Sequence, residues 1–197
     1  QTCALPIYDW LLPFRADFWS WYPDVWKMDA ERSGKFRTFD TIASALRRVN
    51  PEILVIDGCQ SLQNLDGLAG LTAIQELYLY DCYSLENLDG IEGLSSLREL
   101  HLSGCHALQN FDGLKGLHGV LRLSLEDCPL LRTVDALKGL TALRDLNLGG
   151  CSGLQDVDGL ERLASLEELD LRDCIKIPWE KVAPLTLALP NTKVVYR

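Results

Sequence analysis

The sequence predicts an α/β solenoid, a chain wound into stacked and nearly identical coils. Three observations carry that expectation. Cysteine recurs at Cys59, Cys82, Cys105, Cys128, Cys151 and Cys174, every step 23 residues long. The same apolar frame returns around each of them. Within each unit the hydrophobic spacing switches from two to three, which neither a lone helix nor a lone strand accommodates.

Spacing two comes first. Five and three residues before each cysteine lie Leu54/Ile56, Leu77/Leu79, Leu100/Leu102, Leu123/Leu125, Leu146/Leu148 and Leu169/Leu171. A run such as Glu99-Leu100-His101-Leu102-Ser103 alternates apolar with polar, the pattern of a short strand with one buried face. Spacing three follows the cysteine. In the third unit Leu108, Phe111, Leu114 and Leu117 stand three, six, nine and twelve residues after Cys105, and the other complete units repeat this. That spacing suits a helical or 3₁₀ turn on the opposite side of the coil. Asp66, Asp89, Asp112, Asp135 and Asp158 open the second half of this segment, where a side-chain oxygen is expected to cap free backbone N–H groups; this outweighs a calcium-ligand reading. Gly67, Gly90, Gly113 and Gly159 come next, but Ala136 replaces the glycine once, so a positive φ there is not obligatory. One such unit cannot cover its own apolar residues. Neighbouring coils must supply both the ladder hydrogen bonds and the burial.

The ends depart from the frame, as capping requires. Repeats extend over 39–177, starting from an amphipathic helix at Asp40–Val49 with Asp40 or Thr41 as N-cap, which stops before Asn50-Pro51 and leads to a strand at 53–56. Pro178 ends the last repeat, and 178–197 is expected to form a cap: a helix at Trp179–Ala188, a strand at 193–196, with Trp179, Leu187 and Leu189 closing the core. Residues 8–38 hold Trp10, Phe14, Phe18, Trp19, Trp21, Tyr22 and Trp26, broken by Pro13 and Pro23. An aromatic cap over the first repeat, the tail of an upstream domain and an exposed docking segment are the three readings of this stretch. Residues 1–7, Gln-Thr-Cys-Ala-Leu-Pro-Ile, match the translation of a common sequencing adapter and are set aside as an assembly artefact. On that reading the native N-terminus is missing, and nothing about secretion follows from the lack of a signal peptide.

Net charge of −9 argues against nucleic acid and anionic membranes, whose binding needs Lys and Arg. No stretch approaches the roughly 18–20 apolar residues of a membrane-spanning helix.

The frame Leu-x-x-Leu-x-Leu-x-x-Cys-x-x-Leu, present from Leu97 to Leu108, resembles the leucine-rich-repeat superfamily in its cysteine-containing 23-residue variety. It is also similar to repeats of plant immune receptors and to tandem arrays in bacterial proteins, and differs from the internalin pattern by carrying Cys in place of Asn. The resemblance covers about 51–177, and it implies a curved arc with a concave parallel sheet, short helical or 3₁₀ convex segments, and protein recognition as the usual role. It also implies that the six cysteines point inward as a structural ladder.

Cysteines 23 residues apart lack zinc spacing, so no metal site is expected and the thiols are read as buried and free, favouring a reducing compartment such as the cytoplasm. His101, His106 and His118 make no catalytic set. Ser103 and Ser124 would neighbour His101, but nothing supplies an oxyanion hole, and no catalytic residue is assigned. The glycines follow the repeat and form no phosphate loop, so no cofactor is expected.

The outward strand positions hold the functional promise. Four residues before each cysteine the chain reads Val55, Tyr78, His101, Ser124, Asn147 and Asp170; two before, Asp57, Tyr80, Ser103, Glu126, Gly149 and Arg172; six before, Ile53, Glu76, Glu99, Arg122, Asp145 and Glu168. The inward positions are nearly uniform while these vary, as in a recognition face. Tyr78, Tyr80 and His101 form an amphipathic patch, and the acids Glu76, Glu99, Asp145 and Glu168 favour a basic protein partner. The expected function is therefore a protein-interaction module, not an enzyme. A sensor arm of a larger enzyme or receptor, and an adhesive spacer, are the alternatives; six coils at about 4.8 Å each span only about 30 Å, short for a spacer.

Overall fold

The computed structural model describes residues 25–28, as backbone, and 40–197. The stretch read as an adapter artefact, and the aromatic residues from Trp10 to Tyr22, lie outside the described residues. Among the described residues eight strands form one sheet in sequence order, every neighbouring pair parallel. They are β1 Val25–Met28, β2 Ile53–Asp57, β3 Glu76–Tyr80, β4 Glu99–His101, β5 Arg122–Ser124, β6 Asp145–Asn147, β7 Glu168–Asp170 and β8 Lys193–Val195. Helix α1, Asp40–Val49, precedes β2, and helix α2, Trp179–Ala188, precedes β8. Strand β1 is an addition: 8–38 was read without strands, yet its Val25–Met28 pairs with Ile53–Ile56 and extends the sheet by one.

Register follows the repeat. Leu77, Leu100, Leu123, Leu146 and Leu169 stand opposite one another across five strands, all buried. On the far side of each coil the spacing of three becomes a succession of 3₁₀-type turns. In the first repeat Leu68, Leu71 and Ile74 each donate a backbone N–H to the carbonyl three residues back, at 2.8, 3.0 and 3.2 Å. Residues three apart eclipse in such turns, so one row of leucines faces inward. The core is therefore a single column of aliphatic residues running the length of the stack.

All six cysteines of the repeat are buried in that column. The thiols of Cys105, Cys128, Cys151 and Cys174 donate to the carbonyls of Leu79, Leu102, Leu125 and Leu148, at 3.5, 3.3, 3.1 and 3.0 Å. Each acceptor lies one coil back, so the thiols stitch successive coils together. Burial raises the thiol of Cys151 to about 12 and that of Cys174 to about 11.

The residue before each cysteine alternates strictly: Gly58, Asp81, Gly104, Asp127, Gly150, Asp173, all with positive φ. Here the chain leaves the sheet, and Asp is among the few side-chain-bearing residues that tolerate the left-handed region. The alternation has a steric cause. A Cβ on Gly104 would collide with the Asp81 carboxylate, and one on Gly150 with that of Asp127. Two coils, 46 residues, are thus the true packing period at this corner.

Two expectations are corrected. Asp66, Asp89, Asp112, Asp135 and Asp158 are not the caps. Asp66, Asp112 and Asp135 are the first residues of 3₁₀ turns, so their own N–H groups are the ones that need an acceptor. The acceptor sits two residues earlier: Asn64, Asn87, Asn110 and Asp156 offer Oδ1 to the N–H of Asp66, Asp89, Asp112 and Asp158, at 3.4, 3.1, 2.9 and 3.0 Å. The aspartate side chains face solvent, where Asp112, Asp135 and Asp158 meet Lys115, Lys138 and Lys181. The C-terminal closure also differs. Val182, Leu185 and Leu189 seal the column, whereas Leu187 is 83% exposed and Trp179 51% exposed. Trp179 starts the helix and lies against the Tyr196 ring, with centroids 5.7 Å apart, on the rim of the core.

Candidate functional site

Alternation along each strand turns one side chain in three-residue strands inward and its two neighbours outward. Stacking the strands in register builds the outward residues into rows. The first row runs Glu76, Glu99, Arg122, Asp145, Glu168, Lys193, and the second Tyr78, His101, Ser124, Asn147, Asp170, Val195. Tyr80 ends β3, and Ser103, Glu126, Gly149 and Arg172 continue the row beyond the ends of the shorter strands. The predicted face residues therefore share one side of the sheet, where Ser124 and Gly149 are buried among their neighbours.

The N-terminal part of that surface is an aromatic cluster. Tyr78 and His101 stack with centroids 4.7 Å apart and ring planes 18° from parallel; Tyr80 lies 5.9 Å from Tyr78 and 6.4 Å from His101. The Tyr78 hydroxyl donates to Glu76 Oε2 at 2.8 Å, with Glu99 Oε2 at 3.4 Å. Burial, reinforced by that bond to Glu76, pushes the Tyr78 phenol up to about 12. Burial lowers the His101 imidazole below its ordinary value, against the pull of Glu76, so the ring is neutral at pH 7.

Farther along, charges answer one another. Arg122 bonds Glu99 on the preceding strand. Asn147 donates to Glu126 at 3.2 Å, Lys193 to Glu168 at 2.8 Å, and the Arg172 guanidinium grips both carboxylate oxygens of Asp170. The Arg172 bond holds the Asp170 carboxyl below the usual carboxylate range. A groove of about 680 Å³ runs over this part, from Tyr80 and His101 to Arg172 and Lys193. The acidic row is thus less available than its sequence indicates, because Arg122 and Lys193 sit in register with it.

Ser103 and Ser124 bond each other at 3.2 Å, while His101 has Tyr78 and Glu99 as neighbours. His106 stacks on Tyr83 at 5.0 Å, and His118 bonds the Gly139 carbonyl at 2.8 Å. Among the described residues no cluster of His, Cys, Asp or Glu is arranged to hold a metal, and no helix is long and apolar enough to cross a membrane. Sequence reasoning overlooked Tyr83, which is 41% exposed on the turn one residue past Cys82. An aromatic residue at a solvent-facing turn position was the available signal.

No family model and no curated protein matches the chain. Solved structures do. The leucine-rich repeat domain of the type III effector XopL superposes with a TM-score of 0.66 at 22% identity, over 88% of this chain and 68% of that one. Internalin C2 of Listeria monocytogenes is 26% identical over 68% of this chain and 66% of its own, with a TM-score of 0.48. A leucine-rich repeat protein of Leptospira interrogans is 16% identical, over 74% and 64% of the two chains, with a TM-score of 0.39.

Proposed function

From a chain that folds as a leucine-rich-repeat solenoid, we propose that its concave sheet face binds a partner protein. One observation carries this reading: a nearly uniform apolar interior presents a variable outer face that includes three contiguous aromatic rings. Rings packed against one another lose little freedom when a partner covers them, so their contact area converts efficiently into affinity. The half-buried Tyr78 hydroxyl is already satisfied by Glu76, which removes one desolvation cost of docking.

The test is a selection. A peptide display library panned against the folded protein should yield binders whose affinity falls when Tyr80→Ala and His101→Ala are combined, and survives Glu92→Gln on the opposite side of the coil. Binders indifferent to the sheet variants would defeat the proposal. The reading assigns no chemical step to the face, and an upstream enzyme or receptor to which it served as sensor arm would leave the same prediction unchanged.

A further inference from the structure

Charge is distributed unevenly along this solenoid. Residues 51–105, the first two repeats and the strand of the third, hold nine acidic residues and a single basic one, Arg98. That is a net −8 of the chain's −9. Arg98 is turned away from the outer face: its guanidinium bonds the carbonyls of Leu97 and Gly119, at 3.0 and 3.4 Å.

Among the described residues, the aromatic rings of the outer face lie in the same coils, on two adjoining surfaces. Tyr78, Tyr80 and His101 occupy the sheet. Three residues beyond Tyr80, where the chain rounds the corner, Tyr83 and His106 stack on the rim with planes 14° apart. Asp81 stands between the two tyrosines, and its negative charge raises the Tyr83 phenol. Glu76, at the other margin, has a tyrosine hydroxyl and no cation as partner among the described residues. One coil farther on, the equivalent carboxylate, Glu99, is bonded by Arg122. The row therefore already holds a guanidinium where the chain supplies one.

Resting on the binding-face reading above, we propose that the sheet and rim of the first three repeats form one continuous surface for a segment of a partner protein carrying exposed arginine side chains. One arginine stacks on Tyr80 or Tyr83 with its guanidinium at Asp81, and another meets Glu76 beside Tyr78, combining cation–π contact with charge-assisted bonds. The planar guanidinium suits both contacts better than the compact ammonium of lysine. Nucleic acid is the wrong charge for this surface.

A seven-residue peptide alternating glycine and arginine, with lysine and glutamate counterparts, tests the inference by titration into ¹⁵N-labelled full-length protein at 150 mM salt. The arginine peptide should shift amide signals clustered in 76–106. Tyr80→Ala with Tyr83→Ala should weaken it about tenfold, and Glu76→Gln about fivefold. Glu180→Gln, which removes the same charge from the C-terminal cap, should change affinity less than twofold. The glutamate peptide should not bind. Shifts spread evenly over the chain, or equal losses at Glu76 and Glu180, would overturn the inference in favour of diffuse charge attraction. Concentration-dependent self-association abolished by Tyr80→Ala would overturn it by making a second copy the occupant. Display-selected peptides that bind the same face without any basic residue would also sink it while leaving the binding-face reading intact; no selected ligand on the face would remove both.

Discussion

The two halves of the concave face are built on one interior yet behave as different materials. Around β3 and β4 the outer residues are rings stacked or tilted against one another, with carboxylates at the margins. From β5 to β8 they are charges that pair within the sheet, Arg122 with Glu99, Arg172 with Asp170, Lys193 with Glu168. A charge already paired with an opposite charge has little attraction left for a partner, so the second half offers less binding energy per residue. Sameness inside and difference outside are physically independent. Inward side chains answer to packing, outward ones only to solvent and partner.

That comparison can be broken first at the interior. Leu100→Ala in β4 and Leu146→Ala in β6 should each cost about 2–5 kcal/mol in urea unfolding, since both fill fully packed positions. Costs that differ by more than about 2 kcal/mol between the halves would show that the interior is not uniform. The face should respond unequally. Against a peptide selected on it, Tyr78→Ala with Tyr80→Ala should lose about 2–4 kcal/mol, roughly 30- to 700-fold, by calorimetry. Arg172→Ala should cost less than about 1 kcal/mol, as exposed ion pairs usually do. Equal losses would erase the distinction.

A smaller effect sharpens the boundary. Arg122→Ala should release Glu99 and carry the aromatic–acidic zone one coil farther, raising the affinity of an arginine-bearing peptide about two- to fivefold at low salt and less at high salt. No gain would place the boundary before β4. The smallest expected effect is a pH dependence confined to the first half. His101 has its folded value lowered by burial, so its neutral form contributes stability that is present above about 6.5 and lost as pH falls through the lower folded value. Thermal melting followed from pH 7 downward should flatten in His101→Gln relative to the parent, and an unchanged slope would put the acid sensitivity elsewhere.

Much of this was readable from residue spacing. The inward column and the parallel register follow from apolar residues that recur every 23 positions, because only stacking buries them. The outer rows were equally legible, since period two assigns every alternate residue to one face. Other features were not. Asn64, Asn87 and Asn110 cap the turns because backbone geometry points their Oδ1 atoms at the N–H two residues on, whereas spacing alone favoured the aspartates that follow. Leu187 and Trp179 looked like core by residue type, yet helix α2 presents Val182 and Leu185 to the column instead.

Sequence by itself determined the coil, its repeat length, the inward residues and the membership of the outer face, because a 23-residue hydrophobic period has one way to be buried. Tertiary structure alone decided which outer residues meet. Stacking brings Arg122 to Glu99 and His101 to Tyr78, partners 23 positions apart, and seats Gly104 and Gly150 against the aspartates of the preceding coil. Those contacts arise between coils, and a one-dimensional pattern lists the rows without saying which of their members will neutralise, stack or exclude one another.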